Sequence, residues 1–498
     1  MGIKTIKKAL FKAYYDGHSF LRHKGIEYYT KEKYSWKKLN KIISENDNFI
    51  LVENKIFLKS IYEVEKTIAN ELIKRFRMPL EEELELIVDK GITLSENQEK
   101  AVKNACKYNI SIITGGAGSG KSTVSRAVYY TLKQKYKNIL LLSPTGAASE
   151  RLSSVIEEKA ETIHKALNHN TQRSLSNNQL EADAIIIDET SMVDTEMFLE
   201  LLKKTNLETK IIIIGDVNQL TSVGPGEILN QLLEAFPKEK ITKLDKIFRI
   251  EKTNEVAIFA DNVLNGTLDT SNIFRKYKKS KNLNIIRYKK NIIDYAIKSF
   301  WEEDEECIIL TSKRKKNILE QENTNQLNAK TRNLINKYNK AIKHGDKKLN
   351  FKKEDKIMFL KNDYNRMIFN GTKGKILQQL GNEILVLFKN NRIKLFQAQE
   401  FKPEISINFE LSYAITIHKA QGQEFDNVLL ILDDHKHINK NLFYTAITRT
   451  KKNLTIITTD EVLNQINNTQ DHYLIDNKLY KAQKNTYLKE LIKIELDN

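Results

Sequence analysis

From Gly91 to about residue 245, short continuous apolar runs alternate with stretches of helical period. The runs Ile110–Thr114, Ile139–Ser143, Ala184–Ile187 and Ile211–Ile214 suit strands buried on both faces of a parallel sheet. A second series opens with Ile308–Leu310 and resumes only at Val428–Leu432 and Leu454–Thr458, which predicts a second α/β domain interrupted by an insertion. Inside the gap, Lys375–Gln378, Glu383–Phe388 and Arg392–Phe396 are parted by Gly381-Asn382 and Asn390-Asn391. Such turn pairs between short runs suit a small β-barrel. Before Gly91 helical patterns dominate, broken by Phe49–Val52 and Lys55–Leu58 around Glu53-Asn54, a hairpin signal that suggests a winged-helix-like unit.

The expected organisation is therefore α/β: a helical unit at 1–90, a first parallel-sheet domain at 91–245, a second at 246–375 and 411–470, and the small barrel at 376–410. Polar, glycine-free residues 169–181 predict a loop or small hairpin between the second and third strands. The tail, 471–498, is charged and helical in pattern and suggests no role.

Charge narrows the partners. Lys and Arg number 81 against 64 Asp and Glu, a formal surplus of +17 that favours a polyanion such as nucleic acid, although a lysine-rich surface also serves solubility. Cys106 and Cys307 sit in or beside apolar runs without metal-ligand spacing, as core thiols of a reduced protein do. The segment Met1–Leu10 is basic but has no long apolar core, so neither a signal peptide nor a membrane span is expected, and the cytoplasm is the default compartment.

The chemistry concentrates where the first strand ends. Gly115-Gly116-Ala117-Gly118-Ser119-Gly120-Lys121-Ser122 lies between a strand and a helical stretch that begins at Thr123. Glycines let the backbone curl around phosphates, Lys121 neutralises them, and the Ser122 hydroxyl suits Mg²⁺. Ile185-Ile186-Ile187-Asp188-Glu189 is a strand ending in two acids, the first suited to the Mg²⁺ shell and the second to activating water. Gln219, after the next strand, suits γ-phosphate sensing or water alignment, and otherwise a turn. Gln98, after Ser95, suits the hydrogen-bonding edge of adenine, and equally a helix cap. Arg249 and Arg449 fall near the expected boundary between the α/β domains, where a guanidinium fork can meet a γ-phosphate.

Taken in order, Gln98, GGAGSGKS, SPTGAASERL (143–152), TIHKAL (162–167), IIIDETSMVD (185–194), GDVNQLTSVGPGEIL (215–229), IFR (247–249), TIHKAQGQEF (416–425) and YTAITRTK (444–451) resemble the helicase motifs of superfamily 1. The chain in particular resembles the RecD-like DNA helicases, with further support from Lys361-Asn362-Asp363-Tyr364 and Phe369-Asn370-Gly371. The resemblance covers nearly the whole chain and fits a short form without the long N-terminal extension of larger members.

The resemblance implies an ATP- and Mg²⁺-dependent motor of two RecA-like domains that moves 5′ to 3′ along single-stranded DNA and acts at single-strand/duplex junctions. It places nucleotide on Gln98, Gly115 to Thr123, Gly422 and Glu424, metal on Ser122 and Asp188, and catalysis on Lys121, Glu189, Gln219, Arg249 and Arg449. DNA contacts map to Pro144, Thr145, His164, Thr416 and His418, whose hydroxyls and imidazoles suit phosphate and sugar rather than base readout. It assigns 169–181 to a duplex-splitting pin and 376–410 to a barrel covering the strand. It further implies a monomeric motor in DNA repair or recombination, with recombination or nuclease proteins as partners and no membrane. Three positions depart from the pattern: Ala147 and Glu150 stand where relatives often carry basic residues, and Thr221 where many have proline. Two other readings stay open: a DNA-stimulated translocase subunit of a nuclease complex, and a DNA-binding module whose nucleotide site is only a switch.

Overall fold

The computed structural model describes the chain apart from residues 1, 81–83, 168–178, 246–254, 279, 304–306, 313–322, 364, 367, 389–391, 403–407, 434–437, 469–471, 476–477, 482–483 and 498. The described residues form two compact units. The first takes in 1–144, 149–248 and 483–498, and the second 145–148 and 249–482.

The first unit opens with α1 (Ile3–Tyr15), β1 (Phe20–Leu21), α2 (His23–Thr30) and α3 (Trp36–Ser44), followed by β2 (Phe49–Val52), β3 (Lys55–Leu58) and α4 (Lys59–Phe76). The hairpin is antiparallel in the register Phe49↔Leu58 to Val52↔Lys55, and Glu53 takes the positive φ of 53° that a two-residue turn requires. Ile6, Leu10, Ile26, Leu39, Ile43 and Ile56 bury the apolar faces of these elements in one core.

A parallel sheet follows, built from β4 (Ile110–Gly115), β5 (Ile139–Ser143), β6 (Ala160–Thr162), β7 (Ala184–Ile187), β8 (Lys210–Gly215) and β9 (Ile241–Leu244) in the order β6-β5-β7-β8-β4-β9. Every pairing is parallel. The long apolar runs predict its central strands; β6 and β9, at the edges, are short and partly exposed, so neither carries a continuous apolar signal. On one face pack α5 (Glu96–Lys107), α6 (Lys121–Lys133) and α7 (Gly146–Ile156) through Val102, Val128 and Leu152. The opposite face packs against Ile68 and Leu72 of α4.

The tail, for which the sequence suggests no role, belongs to this unit from residue 483 onward. Its helix, Leu488–Asp497, adds Leu488, Leu491 and Ile492 to the core that contains α4. The chain leading into it is pinned by polar bonds. The Lys484 ammonium donates to the carbonyls of Ser222 and Gly224, both at 2.6 Å. The Asn485 N–H donates to His18 Nδ1 at 3.0 Å, and the Tyr487 N–H to a carboxylate oxygen of buried Glu65 at 3.1 Å. Before that helix the tail also holds an antiparallel hairpin, β22 (His472–Ile475) with β23 (Lys478–Lys481), within the second unit.

The second unit holds another parallel sheet, order β10-β21-β20-β11-β19, from β10 (Leu283–Arg287), β11 (Cys307–Thr311), β19 (Ala414–Thr416), β20 (Phe425–Leu432) and β21 (Thr450–Thr458). Between β11 and β19 lie the pair β12 (Ala341–His344) and β13 (Lys347–Lys352) and an antiparallel sheet of five strands: β14 (Lys356–Phe359), β15 (Lys373–Leu380), β16 (Glu383–Phe388), β17 (Ile393–Gln397) and β18 (Phe409–Leu411). The insertion thus starts before residue 376. Three of its strands match the expected runs, but among the described residues the sheet is open, with β17 and β18 at its edges. Phe359, Phe396, Phe401 and Phe409 form its core. The expected pin falls almost wholly on residues 168–178, outside the described residues.

Candidate nucleotide site

At the end of β4 the backbone must turn sharply, and the glycines show why. A Cβ on Gly115 would stand 2.5 Å from Ser119 Oγ and 2.9 Å from Leu244 Cβ, so no side chain fits. Gly118 and Gly120 take φ of 78° and 83°, which other residues adopt only with strain. The loop is braced from inside: Ser119 Oγ donates to the Gly116 carbonyl at 2.9 Å. Lys121, the first residue of α6, reaches back so that its ammonium donates to the carbonyls of Gly115 at 2.6 Å and Gly116 at 2.9 Å. The cation is therefore held over a helix N-terminus, where the backbone already favours an anion. Ser122 and Thr123, in the same turn, are half-buried.

Gln98 is 4 % exposed and both ends of its carboxamide are engaged. Its oxygen accepts the Ser95 N–H at 3.0 Å, completing a capping box on α5, and its Nε2 donates to the Ser119 carbonyl at 3.4 Å. The side chain thus caps a helix and buttresses the phosphate loop together.

The two acids follow β7, separated from β4 by β8 alone. Adjacent strands lie about 4.8 Å apart, so the loop and the acids share one sheet edge roughly 10 Å wide. Burial, with the neighbouring Glu189 carboxylate, pushes the Asp188 carboxyl up to about 6, against the opposing pull of Arg151 and Lys121. Glu189 adopts the left-handed conformation (φ 54°, ψ 40°), uncommon outside glycine, and is 5 % exposed. One of its carboxylate oxygens lies 3.5 Å from Arg151 Nη1. Arg151 is the residue the sequence reading missed; its signal was a cation one and a half turns into the helix that follows a strand end. After β8, Asp216 and Gln219 are 1 % and 3 % exposed. Asp216 organises the turn, accepting the Asn218 N–H at 3.0 Å and the Gln219 carboxamide at 3.3 Å.

Lys121, Asp188, Glu189 and Gln219 are thus gathered at one edge, with Gln98 behind the loop. Pro144 stands at the end of β5 on that edge, and His164, after β6, is exposed. Arg249 lies outside the described residues. The remaining candidates belong to the second unit. There Thr145 Oγ1 accepts the Ala148 N–H at 3.2 Å, and Thr416 Oγ1 accepts that of Lys419 at 3.3 Å. His418 is exposed, Glu424 half-buried, and Gly422 turns at φ 71°. Arg449 is 2 % exposed. Its guanidinium donates to the carbonyls of Thr445 at 3.1 Å and Gln423 at 3.2 Å, so it also holds its own fold together.

Residues 93–287 match a family model described as an AAA domain, and 411–457 one described as a UvrD-like helicase C-terminal domain. The ATP-dependent RecD2 DNA helicase of Deinococcus radiodurans is 28% identical over an alignment covering 87% of this chain and 62% of that protein. The RecBCD enzyme subunit RecD of Buchnera aphidicola subsp. Schizaphis graminum is 29% identical, covering 87% of this chain and 86% of the relative. Over most of its length the chain is similar to the RecD-like helicases. The chain spans less than two thirds of the Deinococcus relative. Among solved structures, Bacteroides Pif1 bound to single-stranded DNA is 19% identical, with a TM-score of 0.48 over 74% of this chain and 94% of that one. Ala147 and Glu150 fall on α7, the helix from which Arg151 meets Glu189.

Proposed function

We propose that the chain is an ATP-dependent DNA helicase that couples hydrolysis to 5′-to-3′ movement on single-stranded DNA and to duplex separation. One observation carries the reading: a RecD-like chain gathers a lysine-bearing phosphate loop, the half-buried Asp188 and the buried Glu189 on one sheet edge. The Lys121 ammonium exchanges its two carbonyl partners for phosphate oxygens, Glu189 takes the proton of the attacking water, and Gln219, Arg249 and Arg449 respond to the γ-phosphate.

The donor set fits Mg²⁺: Ser122 supplies a hydroxyl, and Asp188 a carboxyl that burial pushes toward neutrality and a dication would keep ionised. The chemistry magnesium supplies there is neutralisation of charge on the phosphate oxygens. Pro144, Thr145, His164, Thr416 and His418 hold the DNA strand through phosphate and sugar. Among the described residues no helix is long and apolar enough to cross a membrane. Both cysteines are buried thiols outside any disulfide, which suits the reducing cytoplasm.

A second reading, a translocase subunit of a nuclease complex, is favoured by relatives named as RecBCD subunits. The test is ATP turnover with and without single-stranded DNA. Turnover that rises with DNA supports the motor, and turnover indifferent to DNA contradicts it.

A further inference from the structure

The Arg151–Glu189 pair has chemistry that the roles above leave unused. A general base needs an available lone pair, and a carboxylate oxygen turned toward a guanidinium is not turned toward water. In this structure the residue assigned to activate water is nearly buried and turned toward a cation. The contact is weak. The 3.5 Å between Arg151 Nη1 and a Glu189 carboxylate oxygen is longer than the about 2.7–2.9 Å of strong charge-assisted pairs. A restraint of that kind is held but easily broken.

The element carrying Arg151 also matters. Helix α7 begins at Gly146, directly after Pro144 and Thr145, the residues assigned to DNA. Thr145 accepts the Ala148 N–H and so closes the first turn of the helix. A DNA phosphate accepting the Thr145 O–H leaves that bond in place, so the strand and the first turn of the helix would be held by one side chain. Arg151 lies five residues beyond Gly146, a rise of about 7.5 Å along a rigid helix. The helix also crosses the division of the chain, with 145–148 clustering in the second unit and Ser149 onward in the first.

We infer that Arg151 is a positioning residue that holds Glu189 away from catalysis until DNA engages Pro144 and Thr145, when α7 shifts and releases the carboxylate. DNA stimulation of hydrolysis then has a physical cause: the base is freed by the same helix that starts at the DNA. The inference rests on the assignment of Glu189 as general base.

Steady-state ATP turnover of the full chain, with and without oligothymidylate, tests it in the wild type, Arg151→Gln and Arg151→Lys. Binding of a fluorescent ATP analogue and melting temperature are measured alongside. The neutral variant should raise DNA-free turnover about threefold to tenfold, the worth of a partly buried ion pair, and lower the ratio of stimulated to basal rate by the same factor. The lysine variant keeps the charge but not the fork, and should fall between the two, which preserves the test if Arg151→Gln does not fold. DNA-free turnover that is unchanged, or reduced equally with and without DNA while analogue binding holds, overturns the inference. Glu189→Gln separates the two levels: if it leaves turnover intact, the base assignment itself fails, whereas if it abolishes turnover while Arg151→Gln leaves the ratio alone, only the restraint fails.

Discussion

Glu65→Gln should flatten the dependence of stability on pH. Glu65 lies on α4, is 1 % exposed, and accepts the Tyr487 N–H that precedes the C-terminal helix. Burial, aided by the nearby Glu490 carboxylate, raises its carboxyl from the ordinary 4.5 to about 8, against opposing bonds from Ser19 and Tyr487. The fold therefore favours the protonated form. Its contribution is complete below the ordinary glutamate value and is lost as pH rises through about 8. The loss has a limiting slope of about 1.4 kcal/mol per pH unit, and over the whole displacement it is at most roughly 5 kcal/mol, less after local relaxation.

Glutamine keeps an oxygen for the Tyr487 N–H and cannot ionise. The variant should match the wild type near pH 5 and melt progressively higher than it toward pH 8. Lys484 does not imitate this. Burial lowers it to about 8 from 10.5, so its effect falls above that window and has the opposite sign, with stability rising with pH. Melting by fluorimetry between pH 5 and 8.5 reads the difference. Parallel curves for the two proteins, or a constant loss in the variant at every pH, would refute the assignment of a buried neutral Glu65.

Other expectations concern the site. Glu189→Gln should still bind ATP but hydrolyse it about a hundredfold more slowly or worse, the usual contribution of a general base; near-normal single-turnover rates would exclude that role. Arg449→Ala should lose hydrolysis while keeping DNA binding. Because its guanidinium also bonds the Thr445 and Gln423 carbonyls, a melting curve must accompany the assay, and loss of DNA binding alone would contradict its place at the γ-phosphate.

The parts legible in the sequence are those governed by local pattern. A strand buried on both faces has to be continuously apolar, so β4, β5, β7 and β8 announce themselves, and the turn after β4 needs glycine for the steric reason Ser119 and Leu244 supply. The hairpin Phe49–Val52 with Lys55–Leu58 was equally local.

What escaped was set by distant partners. Nothing near Leu488 shows that its helix completes a core begun by α4 more than four hundred residues earlier, and nothing near Lys484 shows that its ammonium is held by the carbonyls of Ser222 and Gly224. Strands β14 and β18 lie apart from the three clustered runs and are short, so pairing rather than pattern defines them. For Gln98 the sequence offers an adenine contact and a helix cap; the cap is present, with its oxygen on the Ser95 N–H, and its nitrogen braces the loop at the Ser119 carbonyl, a contact no local pattern announces.

The central claim is that hydrolysis at the Lys121–Glu189 edge drives directed movement on DNA. Strand displacement from duplexes carrying only a 5′ or only a 3′ single-stranded tail, with ATP consumption followed in the same reaction, tests it most directly. ATP-dependent displacement from the 5′-tailed duplex and not from the 3′-tailed one, abolished by Glu189→Gln, is the predicted result. Preference for the 3′ tail would contradict the direction, and hydrolysis without displacement on either substrate would contradict unwinding and leave translocation.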